Sequence, residues 1–173
     1  MRIEHSKVNI FAAYGLLLLI SALLQTTMLA KITILGFTPT LYIAATVCVA
    51  MFEGEWTGAA FGLVLGYFVD ATVGMHTGLT ALSLLVAGIM VAVIARKFML
   101  RRILSALVLY GIVHLTFFAL ILFFRVFVIA DMAGFVGYSA ARFMTVLLSA
   151  VYIPPYYFIA RWLHFSFWGT EET

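Results

Sequence analysis

Charge is what this chain has least of. Asp, Glu, Lys and Arg make up 10% of its 173 residues, against about 25% in a soluble globular domain. That is too few to clothe a surface in water, so an ordinary soluble domain is excluded. Cysteine is nearly absent. Cys48 stands alone in an apolar run, which rules out an internal disulfide and a multi-cysteine metal site and suits a small buried hydrophobe. Basic residues form no stripe or arm, so the net charge of +3 gives no reason to expect nucleic acid as a partner. Also missing are a nucleophile–base pairing, a phosphate-cradling loop and a cluster of metal ligands. Asp70 and Asp131 are isolated carboxylates, and neither catalysis nor a cofactor is expected.

What is present is apolar. Hydrophobic residues account for 65% of the chain, and the mean hydropathy is +1.16. A membrane-crossing helix takes ~20 apolar residues. The pattern therefore predicts an all-α integral membrane protein, a single transmembrane domain over residues 1–173. Six spans are expected at about 8–29, 39–52, 56–73, 79–95, 103–124 and 138–163. The first apolar run, from Val8 to Ala30, is too long for a signal-peptide core and has no small-residue cleavage site after it, so a retained span is expected. With the N-terminus inside, Arg2, Lys7, Arg96, Lys97, Arg101, Arg102 and Arg161 face the cytoplasm, and Lys31, Arg125 and Arg142 face out. That asymmetry fits the positive-inside rule and predicts both termini in the cytoplasm. Trp56, Trp162 and Trp168 fall at inner span ends, where amphipathic rings favour the interface.

Glycine supplies the clearest pattern. Gly54, Gly58, Gly62 and Gly66 stand four apart, and the same step then lands on Asp70, Gly74 and Gly78. A step of four advances about 400° on an α-helix, so the row makes one slowly drifting ridge without side chains. In lipid such small-xxx-small ridges let helices approach closely. This segment is expected to be the packing hub and the groove that receives a partner's helix. Asp70 near the outer end of span three and Arg142 one turn into span six lie at matched depth. They are expected either to pair, because an ionised residue in a span is costly alone, or to snorkel separately to the headgroups.

The remaining polar features have plainer readings. His114 at mid-span is expected to hydrogen-bond a neighbouring helix, with a proton relay as the alternative. His76, between two glycines, is expected to be solvated. Pro154-Pro155 removes donors from the ladder of span six and predicts a kink. The basic turn from Arg96 to Arg102 fixes topology, and it suits anionic membrane lipid as well.

Gly58-Ala-Ala-Phe-Gly-Leu-Val-Leu-Gly-Tyr-Phe-Val-Asp70, then Gly78 opening a span that ends in Arg96-Lys97-Phe98, resembles the central signature of the bacterial rod shape-determining family MreD. Ala141-Arg142-Phe143 and the prolines of the last span are similar to that family's final helix. The resemblance covers essentially the whole chain. It implies a non-catalytic scaffold of the cell-elongation complex in the bacterial cytoplasmic membrane. Its expected partners are MreC, the polymerase RodA with its transpeptidase, and indirectly the actin-like MreB. The family is also similar in overall fold to the S components of energy-coupling-factor transporters, so a vitamin-binding S component is the alternative. That alternative needs polar groups converging near the outer side, where Gln25, Thr26, Asp70, His76 and Arg142 are the candidates. It also lacks the docking pattern on span one, where Ala12, Ala13 and Gly15 do not form an Ala-xxx-Ala spacing.

Overall fold

The computed structural model describes the backbone of residues 2–29, 39–73, 78–98, 102–124 and 135–168, and the side chains of 12–27, 39–72, 78–97, 102–119 and 143–166. These residues are all-helical. Helix α1 spans Arg2–Leu23 and widens into a π-helical stretch, Leu24–Leu29. There the Thr26 hydroxyl donates to the Ala22 carbonyl at 2.9 Å and the Thr27 hydroxyl to that of Leu23, competing with the ordinary ladder. Then come α2 (Leu41–Glu53), α3 (Glu55–Val73), α4 (Leu79–Phe98) and α5 (Ile103–Phe124). The last two helices are α6 (Phe135–Ala150) and α7 (Ile153–Trp168).

The hub is α2, not the glycine-bearing helix. Every residue from Leu41 to Phe52 is buried, and each of the other helices packs against it. A helix apolar all round is built for burial on all sides. Here Ala44, Ala45, Thr46, Val47, Cys48 and Ala50 keep its girth small enough for neighbours to close in everywhere. Its 13 residues reach only ~20 Å, short of the ~30 Å hydrocarbon core of a bilayer. Cys48 lies fully buried, with its sulfur 3.9 Å from the Ile153 carbonyl.

The last expected span is two helices. A turn at Val151–Tyr152 separates α6 from α7, and the two segments are bent by 47°. Pro154 and Pro155 occupy the first turn of α7. Neither can donate to the preceding turn, and each ring excludes the carbonyl four residues back, so the helix stops and restarts with proline where its missing N–H is harmless. The expectation of a kink within one continuous span is replaced by a break just ahead of the prolines.

Among the described residues, Leu79–Lys97 is long and apolar enough to cross a membrane by itself. Phe143–Ala150 and Ile153–Ser166 pass the same test only when taken together as one bent pair.

Candidate functional site

The glycine ridge is real, and the chain itself fills it. A Cβ at Gly58 would lie 2.5 Å from that of Ala50 on α2. At Gly62 it would collide with the Leu84 carbonyl, its carbon 2.8 Å away, and at Gly66 it would come 2.5 Å from the Ala81 Cα. Gly88 on α4 answers from the other side, its Cβ position 2.6 Å from the Gly58 carbonyl carbon. Helices α3 and α4 therefore meet backbone to backbone along this seam. The groove expected to receive a partner's helix is occupied by α4, with Ala50 and Thr46 of α2 at its edge. Gly54 does not belong to the ridge. It ends α2 with φ +88°, its N–H bonded to the Ala50 carbonyl at 3.2 Å, a positive-φ stop that glycine makes without strain.

Asp70 closes the same seam at its far end. The carboxylate is buried, 5% exposed, and its Oδ2 accepts the backbone N–H of Ala81 at 3.1 Å. Ala81 is the third residue of α4, so the bond satisfies one of the orphan donors of that helix's first turn. A carboxylate there also faces the positive end of the helix dipole. Asp70 thus acts as an N-cap supplied by the preceding helix. The Arg142 side chain lies outside the described residues, and with it the expected ion pair; so do His76 and Gly74.

Two polar clusters tie helix ends together. At the C-terminal end of α2, Glu53 has a side chain 5% exposed. Its Oε1 accepts the Tyr14 hydroxyl of α1 at 2.6 Å and lies 2.8 Å from Nδ1 of His164 on α7. One carboxylate oxygen so joins three helices through short, charge-assisted bonds. At the opposite end, the Thr40 N–H donates to Ser149 Oγ of α6 at 2.7 Å, and the Leu41 N–H donates to Gln25 Oε1 at 2.7 Å. These side chains from distant segments cap α2, whose buried first turn would otherwise hold bare donors. Ser21 gives its hydroxyl hydrogen to the Leu17 carbonyl at 2.6 Å. The Tyr156 hydroxyl, 2.7 Å away, therefore donates to Ser21 Oγ.

In the sequence Glu53 shows only as one of two acidic residues flanking Gly54, and Tyr14, Ser149 and His164 carry no signal. Polar residues one per helix have no spacing to read; only their meeting gives them a role. His114 is buried, with Nδ1 3.3 Å from the Tyr110 carbonyl one turn back on its own helix and its ring 4.2 Å from that of Tyr110. The described partner of Nδ1 is thus on α5 itself rather than on a neighbouring helix. In the basic turn, Arg96 reaches Glu55 at 3.2 Å across the α2–α3 joint. The pair is largely exposed, which makes it worth about 0–1 kcal/mol. Among the described residues, no group of three or more His, Cys, Asp or Glu is placed to hold a metal ion.

Apolar surface remains on the outside. Leu16, Leu19, Ile20 and Leu23 make an exposed stripe on α1. Between α4 and α5 runs a cleft of about 120 Å³ walled by apolar side chains. No family model matches the chain, and neither a curated protein nor a solved structure matches it.

Proposed function

We propose that the protein is a non-catalytic, multi-pass scaffold of the bacterial cytoplasmic membrane, with six spans and both termini inside. It would belong to the cell-elongation complex, bind MreC and help link peptidoglycan synthesis by RodA and its transpeptidase to cell shape. The signature from Gly58 to Asp70 supports the family reading. The observation that carries the scaffold reading is the use made of buried polar groups. Asp70, Glu53, Gln25 and Ser149 each tie one helix end to another, and large apolar side chains stand outward on α1, α3, α4, α5 and α7. Such a body is rigid within and adhesive towards other helices in lipid.

Because the glycine seam is filled from within, the partner's helix docks elsewhere, on an exposed apolar face. The stripe of Leu16, Leu19, Ile20 and Leu23 is the face of choice, since it belongs to a helix with one flank free. The S-component alternative needs an outer pocket with converging polar groups. Gln25, one of its candidates, is instead engaged on the first turn of α2. Affinity purification from native membranes tests the proposal. MreC and RodA should come down with the chain, and Leu16→Ala/Leu19→Ala/Leu23→Ala should weaken that recovery severalfold. Recovery of a transporter ATPase module in place of MreC would overturn the scaffold reading.

A further inference from the structure

Two cations stand beyond one end of the cleft between α4 and α5. Val86, Met90 and Ile94 line it from α4, and Leu109, Ile112 and Thr116 from α5. The Thr116 hydroxyl donates to the Ile112 carbonyl at 2.9 Å, so it leaves the wall apolar. From Leu82 to Ile94 the lining covers thirteen residues of helix, ~18 Å along the axis at 1.5 Å per step. That is a little over half of the ~30 Å hydrocarbon core.

Helical spacing then sets the rim. Lys97 follows Ile94 by three residues and Arg102 precedes Leu109 by seven. Each therefore continues the cleft-facing row of its own helix, at the same end, and both are exposed. An apolar slot ~18 Å long, with a cation beyond the same end on each of its two helices, is complementary to a lipid with an acyl chain and a phosphate.

We propose that this cleft seats an acyl chain of an anionic phospholipid, with the headgroup phosphate held by Lys97 and Arg102. The inference rests on the membrane orientation put forward above, which sets this end at the cytoplasmic leaflet, where anionic lipids are concentrated. The lipid would fill the gap that α4 and α5 leave and fasten α5 to the tightly packed helices.

The test titrates the full chain in neutral detergent with dioleoylphosphatidylglycerol or dioleoylphosphatidylcholine and counts bound lipid by native mass spectrometry. Phosphatidylglycerol should bind about tenfold more tightly, each cation contributing about fivefold or less. Lys97→Gln/Arg102→Gln should remove that preference and leave phosphatidylcholine binding unchanged. Met90→Trp, which fills the slot from a position 38% exposed, should weaken both lipids. Val86→Phe serves the same purpose where the tryptophan impairs folding. Equal binding of the two lipids overturns the proposal, as does a preference that survives the double substitution. Displacement of phosphatidylglycerol by millimolar inorganic phosphate also overturns it, because the acyl seat would then contribute nothing.

Orientation is read separately. Trp56→Cys in a Cys48→Ala background places a thiol at an 89% exposed position at this same end. Labelling of that thiol from the cytoplasmic side supports the orientation. Labelling from the outside only refutes it, without altering what the lipid titration says about the cleft.

Discussion

Helix α4 has two faces that behave differently. Against α3 it packs backbone on backbone; against α5 it leaves a cleft of about 120 Å³. The difference lies in what each neighbour presents. Gly58, Gly62 and Gly66 of α3 meet Ala81, Leu84 and Gly88 of α4, with no side chain to hold the axes apart. Leu109, Ile112 and Phe117 of α5 face Val86, Met90 and Ile94, and branched or aromatic pairs cannot interleave that closely. Small residues on both partners make a tight seam. Where only α4 offers small residues, Ser83 and Ala87, and α5 answers with branched and aromatic ones, room is left for something else. In a membrane, where burial from lipid into protein gains no hydrophobic free energy, closeness of approach is most of what holds one helix to another.

Widening the tight seam is the strongest way to break this comparison. Gly62→Leu should abolish recovery of folded, monodisperse protein, read by size-exclusion chromatography in detergent. Gly62→Ala, whose Cβ falls on the Leu84 carbonyl, should cost about 1–3 kcal/mol through overpacking, read as a lowered unfolding midpoint.

Cutting the polar ties comes next. Glu53→Ala leaves the Tyr14 hydroxyl and His164 without their shared acceptor, and should cost about 1–3 kcal/mol. Glu53→Gln should recover part of that, since an amide oxygen still accepts. Asp70→Ala removes the cap on α4 and should cost about 0.5–2 kcal/mol, with Asp70→Asn milder.

The smallest effect sharpens the contrast by its sign. Gly111 lies on α5, where an added Cβ meets nothing within 4 Å. Gly111→Ala should stabilise by up to about 1 kcal/mol through helix propensity alone. A destabilisation at Gly111 equal to that at Gly62 would remove the distinction between the two faces.

The positions of the helices were legible in the sequence because hydrophobic runs and their interruptions mark them directly. Helix α5 falls at the expected 103–124 and α3 within one residue of the expected start. The glycine ridge was legible as a packing surface, and its four-residue step is what the α3–α4 seam uses. Its occupant was not legible. A groove looks the same in sequence whether a partner or the next helix of the same chain fills it, and here α4 lies along it. Asp70 shows the same limit. Its place in a span at matched depth with Arg142 suggested either a charged partner or snorkelling to the headgroups, but a backbone N–H eleven residues on, at Ala81, is one of the acceptor's described partners, and backbone donors leave no trace in residue identity.

Composition and periodicity alone determined that this chain is helical, apolar and built around close contacts, because those properties are sums over local choices. Which helix lies at the centre, what fills the ridge and which lone polar residues meet were decided only in three dimensions. Helix α2 is central because its small residues admit neighbours from every direction, and Glu53 matters because Tyr14 and His164, 39 and 111 residues away in the chain, arrive at one oxygen. Contacts of that range depend on how whole helices pack, and packing is a property of pairs of surfaces that no single segment carries.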